Sequence, residues 1–124
     1  MNERLFPPSF AQRMFWFLDQ FEPDTPAYNL PRALKIKGEL HIPSLREAFR
    51  ALLRRHNVLR TGFVALEGEL FQGVVEDVDI DLTMRDLSSL PTSERRIEML
   101  KIASEEACKT FDLENPPLLR LTLL

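Results

Sequence analysis

The segment IPSLREAFRALLRRHNVLRTGFVAL, from Ile42 to Leu66, carries the strongest structural pattern in the sequence. In its first half, apolar residues recur every third or fourth position, which is typical of a helix with one buried face. They are Leu45, Ala48, Phe49, Leu52 and Leu53, and His56 lies on the same face. Its second half, LRTGFVAL, has the composition of a strand. The stretch therefore predicts a helix that begins at Pro43, carries His56 on its buried face and leads directly into a strand.

Further strands are predicted on both sides of this stretch. LFQGVV follows the first strand after EGE, which indicates a hairpin that turns at Gly68. Apolar and polar residues alternate in the other candidate strands, and this is the period of a strand with one buried face. These strands are ALKIKG (33–38), DIDLTMRDL (79–87) and LLRLTLL (118–124).

Two more helices are predicted near the ends of the chain. SFAQRMFWFLDQF has helical spacing of its apolar residues, and Ser9 with Gln12 fits a capping box at the start. This helix should end near Pro23, before the proline-rich loop EPDTPAYNLPR. A third helix should open at Pro91 and bury Cys108 and an apolar face formed by Ile97, Leu100, Ala103, Ala107 and Phe111. The order of elements predicts an α/β domain in which helices cover a mixed sheet.

Composition excludes several classes of protein. The chain has 124 residues, of which 44% are hydrophobic and 28% charged, as expected of one globular domain. A net charge of −3 gives no general attraction to nucleic acid or to an anionic membrane. One cysteine and two histidines predict neither a disulfide nor a metal site. With no signal sequence or membrane-spanning run, we expect a cytoplasmic protein.

Four segments together resemble a known family. SFAQRMFWFLDQ, PAYNLP, IPSLREAFRALLRRHNVLRTGF and FDLENPPLLRLTLL are similar, in this order, to the N-terminal part of the condensation domains of nonribosomal peptide synthetases. The family pattern Ser-x-Ala-Gln-x-Arg-Leu-Trp-x-Leu is matched by Ser9, Ala11, Gln12, Trp16 and Leu18. The pattern Arg-His-Glu-x-Leu-Arg-Thr-x-Phe is matched by Arg55, His56, Leu59, Arg60, Thr61 and Phe63. Departures from these patterns are Met14, Phe15 and Asn57.

The resemblance implies a two-layer sandwich similar to chloramphenicol acetyltransferase, of which residues 1–124 would form the N-terminal lobe only. It implies an acyltransferase that joins two substrates, each held as a thioester on the phosphopantetheine arm of a carrier protein, through an amide bond. The partners expected are the donor and acceptor carrier proteins, the rest of the condensation domain and the neighbouring synthetase domains. The chain itself would bind no cofactor or metal.

The family's catalytic motif, His-His-x-x-x-Asp-Gly, follows the strand that LLRLTLL resembles, and it does not occur in this sequence. We therefore expect no catalytic residue within the chain and no activity from residues 1–124 alone. Two alternatives stay open. One is another acyltransferase of the same fold, and the other is a non-catalytic module that binds carrier proteins or synthetase domains.

Several residues are candidates for the site by resemblance. Arg60, His56 and Arg55 are expected to support the active site, with Arg60 near the catalytic motif and able to pair with its acid. An ordinary surface arginine is the alternative for Arg60, and a buried structural histidine is favoured over direct catalysis for His56. Trp16 and Gln12 are candidates for the substrate channel. Trp16 could equally fill the core, and a helix cap accounts for Gln12 without a channel.

Overall fold

The computed structural model describes residues 5–23 and 25–124. The first four residues of the predicted domain and Asp24 of the predicted loop lie outside this range. The elements are β1 (Leu5–Phe6), α1 (Phe10–Phe21), α2 (Ile42–Arg55), a 3-10 turn (Asn57–Arg60), β2 (Thr61–Leu66), β3 (Glu69–Val74), β4 (Leu82–Met84), α3 (Thr92–Cys108) and β5 (Leu121–Leu123). The predicted mixture of helices and strands is confirmed.

An antiparallel hairpin occupies the middle of the chain. β2 and β3 pair from Thr61 opposite Val74 to Leu66 opposite Glu69. The two residues between them, Glu67 and Gly68, both have positive φ, 52° and 84°. Tight turns of this kind match the twist of the paired strands, so the predicted hairpin is confirmed. β1, which was not predicted, pairs with the other edge of β3.

A second, parallel pair joins distant parts of the sequence. β4 and β5 align Leu82 with Leu121 and Met84 with Leu123. Both strands are shorter than predicted. The mixture of parallel and antiparallel pairing is therefore present, divided between a three-stranded and a two-stranded sheet.

The strand predicted for ALKIKG is wrong. Residues 33–38 form no ladder with any strand in the described part of the chain, and the Leu34 side chain is 88% exposed. An alternating pattern produces a strand only where a neighbour offers backbone partners. None of the described strands offers such partners to residues 33–38.

The helix starts follow their capping residues. Ser9 and Gln12 form the predicted capping box, with the Ser9 N–H donating to Gln12 Oε1 at 2.7 Å. α2 begins after His41, whose Nδ1 accepts the Ser44 backbone N–H at 3.3 Å. Helix α3 is also confirmed, although Phe111 lies beyond its end.

The buried core is small. Leu53 is 1% exposed, and the other buried hydrophobic side chains are Phe63, Ile80 and Leu82. The predicted burial of His56 and Cys108 is wrong, because both are exposed. The predicted apolar face of α3 is likewise open, with Ile97 69% exposed. These faces have the right spacing, but the described elements provide no layer for them to pack against.

The accessible surface is correspondingly large. It measures 9669 Å², whereas a compact monomer of this mass would expose roughly 6,800 Å². None of the helices in the described residues has the length and hydropathy needed to cross a membrane.

Candidate functional site

Arg60 is the centre of the junction between α2 and the first sheet. Its Nε donates to Leu53 O at 2.8 Å, and its Nη1 donates to Val75 O at 2.6 Å and Glu76 O at 3.1 Å. Its Nη2 donates to Asn57 Oδ1 at 2.8 Å and Arg54 O at 3.4 Å. An arginine has five N–H donors. All five are therefore used.

These contacts give Arg60 two structural effects. Its positive charge lies against carbonyl groups of Leu53 and Arg54 at the C-terminal end of α2, where the helix dipole favours a cation. The same guanidinium reaches the segment just after β3 and so ties the helix to the hairpin. No carboxylate is among its partners in residues 5–23 and 25–124. The expected pairing with an acid stays a prediction.

The backbone on the C-terminal side of Arg60 is equally well held. The buried Thr61 hydroxyl donates to Asn57 O at 2.9 Å, and the Val75 N–H donates to Arg60 O at 2.9 Å. Asn57 thus contributes both its side chain and its carbonyl to the junction. The sequence marked Asn57 only as a departure from an acidic position. The presence of Asn at this position was the one sequence signal that Asn57 contributes to the junction.

Gly62 permits a close approach between β2 and the loop before β5. A Cβ atom at Gly62 would lie 2.7 Å from Glu114 O and 2.9 Å from Pro116 Cδ. The neighbouring Phe63 N–H donates to Leu113 O at 2.8 Å. Two of the segments that carry the family resemblance, RTGF and FDLENPP, are therefore in direct contact.

The loop is shaped by Asp112. Its carboxylate accepts the Asn115 side-chain amide at 2.7 Å and the Glu114 backbone N–H at 2.9 Å. These hydrogen bonds, that of Asn115 first, hold the pKa of Asp112 below its usual value. The loop can therefore present Glu114 O to Gly62 in a fixed position.

His56 and Arg55 lie beside this junction with exposed side chains. The backbone of His56 closes α2, since its N–H donates to Leu52 O at 3.0 Å and its carbonyl accepts from Leu59 at 3.0 Å. The chain thus turns at His56 and brings Arg60 back onto the helix end. Of the three predicted support residues, Arg60 is the one whose side chain forms hydrogen bonds across the junction, while the side chains of His56 and Arg55 are exposed.

Gln12 links α1 to the hairpin at a different place. Its Nε2 donates to Gln72 Oε1 at 3.1 Å, and Gln72 Nε2 donates in turn to Pro7 O at 3.1 Å. Gln72 lies opposite Phe63 in the β2–β3 ladder. Trp16, four residues further along α1, is half-buried. Gln12 therefore reaches the same hairpin as Arg60, although the two side chains do not meet.

Arg50 and Asp79 form an ion pair at the edge of an open groove. Arg50 donates to both carboxylate oxygens of Asp79 at 2.9 Å and to Glu47 Oε1 at 2.6 Å. The hydrogen bond from Arg50, followed by that from the Ile80 N–H, lowers the pKa of Asp79 to about 2. Asp79 and residues 114–117 contribute to the lining of the groove. The described residues contain no group of three metal-ligating side chains.

Comparison with known proteins identifies the family. The condensation domain family model matches residues 2–124. The chain is 40% identical over 123 residues to a linear gramicidin synthase of Brevibacillus parabrevis, and the match covers 99% of this chain and 2% of that protein. It is 44% identical over 118 residues to phosphinothricin tripeptide synthetase PhsC of Streptomyces viridochromogenes, covering 95% of this chain and 11% of that protein.

A solved structure has the same fold. The starter condensation domain of rhizomide synthetase RzmA superposes with a TM-score of 0.84 at 21% identity, covering 98% of this chain and 29% of that one. The chain thus spans a small part of the length of the relatives it matches. The predicted chloramphenicol acetyltransferase-like architecture is confirmed. With the family model matched over nearly every residue, this chain belongs to the condensation domain family of nonribosomal peptide synthetases.

Proposed function

We propose that residues 1–124 form the N-terminal lobe segment of a condensation domain that joins a donor acyl or peptidyl group to an acceptor amine. The acceptor amine attacks the donor thioester carbonyl, an amide bond forms, and the donor carrier's thiol leaves with a proton. The reacting histidine comes from outside residues 1–124, in a segment that follows β5. The observation that carries the proposal is the family match over residues 2–124.

Carrier proteins are the proposed partners. Each would deliver its substrate on a phosphopantetheine arm, so that the arm enters as part of the substrate. The remaining part of the domain and the adjacent synthetase domains would cover the surfaces that the described residues leave open. The accessible surface of 9669 Å² supports this proposal, because it exceeds that of a compact monomer by roughly 2,800 Å².

Within this proposal Arg60, His56 and Arg55 support the active site, and Arg60 has the largest part. Four of its five hydrogen bonds join the end of α2 to the segment just after β3. Trp16 and Gln12 remain the candidates for the substrate channel. The half-buried position of Trp16 and the bridge from Gln12 to Gln72 support this assignment, because α1 meets the hairpin there.

The proposal is tested with a complete condensation domain that contains this sequence. Donor and acceptor carrier proteins are loaded with aminoacyl thioesters, and intact-protein mass spectrometry follows the acceptor carrier. We expect its mass to increase by the donor acyl group in the presence of the complete domain. Residues 1–124 alone should give no product.

Two parallel reactions separate the alternatives. One replaces the acceptor carrier with a soluble amine or alcohol, and the other measures carrier binding without turnover. Product formed only with the soluble acceptor would assign the chain to another acyltransferase of the same fold. Carrier binding without any product, under conditions in which a related synthetase's condensation domain is active, would indicate a non-catalytic module.

A further inference from the structure

The C-terminal end of α3 is held by two side chains that come from opposite ends of the chain. Asn29, in the loop after α1, donates from Nδ2 to Ala107 O and to Lys109 O, both at 2.8 Å. Arg120, just before β5, donates from Nη1 to Thr110 O at 2.6 Å. Its Nη2 donates to Lys109 O and, at 3.4 Å, to Glu106 O.

These contacts satisfy groups that a helix leaves unpaired. The last four carbonyls of an α-helix have no partner within the helix. Of these, Ala107 O accepts from Asn29 and Glu106 O accepts from Arg120, and the same two side chains donate to Lys109 O and Thr110 O just beyond the helix. The charge of Arg120 also suits the negative end of the helix dipole. Its guanidinium lies 3.8 Å from the centroid of the Phe111 ring, a favourable cation–π distance.

The two side chains are coupled because both bind Lys109 O. We call the arrangement of Asn29, Arg120 and the carbonyls of Glu106, Ala107, Lys109 and Thr110 the α3 clamp. It joins the loop of the PAYNLP segment, the end of α3 and the start of β5 at one point. Neither its geometry nor its residues were predicted from the sequence.

The α3 clamp fixes the entry to a very short strand. β5 has three residues and pairs only with β4 among the described strands. At its far end the Arg85 N–H donates to Leu123 O at 2.9 Å. Apart from the contact of the preceding loop with β2, the position of β5 along its axis thus depends on this short ladder and on Arg120, the residue immediately before it.

We infer that Asn29 and Arg120 are positioning residues for the amide-forming reaction: they hold β5, and through it the segment that follows, in register with α3. The inference rests on the proposed function, in which the reacting histidine follows β5. A displacement of about 1 Å in a reacting group can reduce turnover roughly a hundredfold. Loss of the clamp should therefore lower kcat and leave the KM for either carrier nearly unchanged.

The test uses variants of the complete condensation domain. Arg120→Ala and Asn29→Ala should each lower kcat by roughly tenfold to a hundredfold with KM changed less than about twofold. Asn29→Asp keeps the shape of the side chain and removes both donors, so it should be as impaired as Asn29→Ala. Arg120→Lys keeps the charge without the planar fork and should recover part of the activity. The double alanine variant should lose less than the product of the two single losses, because both side chains bind Lys109 O.

His41→Ala is the matched control. It also removes one helix cap, at the start of α2, and leaves Asn29 and Arg120 in place. His41→Ala should lower the melting temperature of the domain about as much as Arg120→Ala does, while its kcat stays within about twofold of wild type. If kcat falls equally in His41→Ala and Arg120→Ala, the clamp contributes only stability and the inference is overturned.

Hydrogen exchange provides a readout that does not require turnover. In Arg120→Ala the amide of Arg85, which donates to β5, should exchange faster, and in His41→Ala it should not. If the Arg85 amide is equally protected in Arg120→Ala and in wild type, the clamp does not position β5, whatever the activity of the variant. A wild-type domain that forms no amide overturns the proposed function and the catalytic part of this inference, and the exchange result still decides whether the clamp holds β5.

Discussion

The guanidinium of Arg60 joins two elements through five hydrogen bonds, four of them to backbone carbonyls. The planar fork of an arginine can reach carbonyls in several directions, whereas a lysine places three donors on a single nitrogen. The exposed neighbour Arg54 takes part through its carbonyl oxygen, which any residue at that position would supply. Arg54 and Arg60, two of the three arginines of RRHNVLRTGF, thus have different requirements for their side chains.

Arg60→Ala should destabilise a complete condensation domain by about 2–4 kcal/mol, because part-buried carbonyls lose a charged donor. Arg54→Ala should change stability by less than about 0.5 kcal/mol, since it removes an exposed side chain and keeps the carbonyl. Thermal and urea unfolding of the two variants measure the difference. Equal, small losses would mean that Arg60 is an ordinary surface residue, and its proposed role would be lost.

Asp79 should make folding sensitive to acid. Its pKa is about 2 in the folded chain and near 3.9 when unfolded. Between these values the unfolded state binds more protons, so this carboxylate stabilises the fold above about pH 4 and the contribution is lost as the pH falls toward 2. Asp79→Asn should therefore flatten the fall in melting temperature over that interval. Arg50→Gln should raise the pKa of Asp79 in a carboxyl titration, and an unchanged pKa would show that the ion pair does not form in solution.

The sequence indicated Arg60, His56 and Arg55 through a linear pattern, and their role in supporting the active site stays a prediction. It did not indicate the contacts that Arg60 makes. Four of the five partners of Arg60 were not predictable, because they are backbone carbonyls, which are present at every position and leave no trace in the sequence. The burial predicted for His56 failed for a related reason. Helical spacing indicates a face, and it does not indicate what covers that face.

At the level of elements, the contact of β2 with the loop before β5 depends on the absence of one carbon atom. Gly62→Ala places a Cβ within 3.0 Å of Glu114 O and Pro116 Cδ, so the loop must move. We expect a loss of about 1–3 kcal/mol, as for other overpacked sites, with weaker protection of the Phe63 amide, which donates to Leu113. Ala65→Ser adds one heavy atom at an exposed position of the same strand and should be nearly neutral. Equal effects of the two substitutions would show that the close approach is absent.

The start of α1 and the hairpin were the features that the sequence predicted best, and the reason is local chemistry. Ser9 with Gln12, and the turn at Glu67 and Gly68, bring their own hydrogen-bond partners or backbone preference. ALKIKG has a strand pattern but depends on a neighbouring strand for its backbone bonds, and none of the described strands pairs with it. β1 was not predicted, because two residues are too few to show the alternating pattern of a strand.

At the level of the whole molecule, large apolar side chains of all three helices remain exposed, among them Phe10, Phe17, Phe21 and Ile97. Exposed apolar surface on this scale promotes association. We expect residues 1–124, produced alone, to self-associate and to bind a hydrophobic dye such as ANS, and the complete condensation domain to do neither at the same concentration. Light scattering and dye fluorescence measure this. A monodisperse, dye-free monomer of residues 1–124 would show that the helices already have partners within the chain.

The family, and with it the architecture, could be predicted from the sequence because its four matching segments occur in the expected order. The sequence could not predict which surfaces stay open, because burial is a property of the assembled domain. The composition of the chain is the same with or without a covering layer. The α3 clamp falls between these cases. Asn29 and Arg120 both lie in segments that carried the resemblance, but only folding brings them to the same carbonyl.

The two sheets also differ in how far apart their partners lie along the chain, and this has a kinetic consequence. The β2–β3 hairpin closes over two residues, Glu67 and Gly68, so it can form within about ten microseconds. β4 pairs with β5, which lies about forty residues later in the chain. Closing the loop between these two strands carries a larger entropic cost. On a ribosome the hairpin, together with the Arg60 junction, would be complete before β5 has been synthesised. The nascent chain would then already contain the folded hairpin when β5 becomes available to pair with β4.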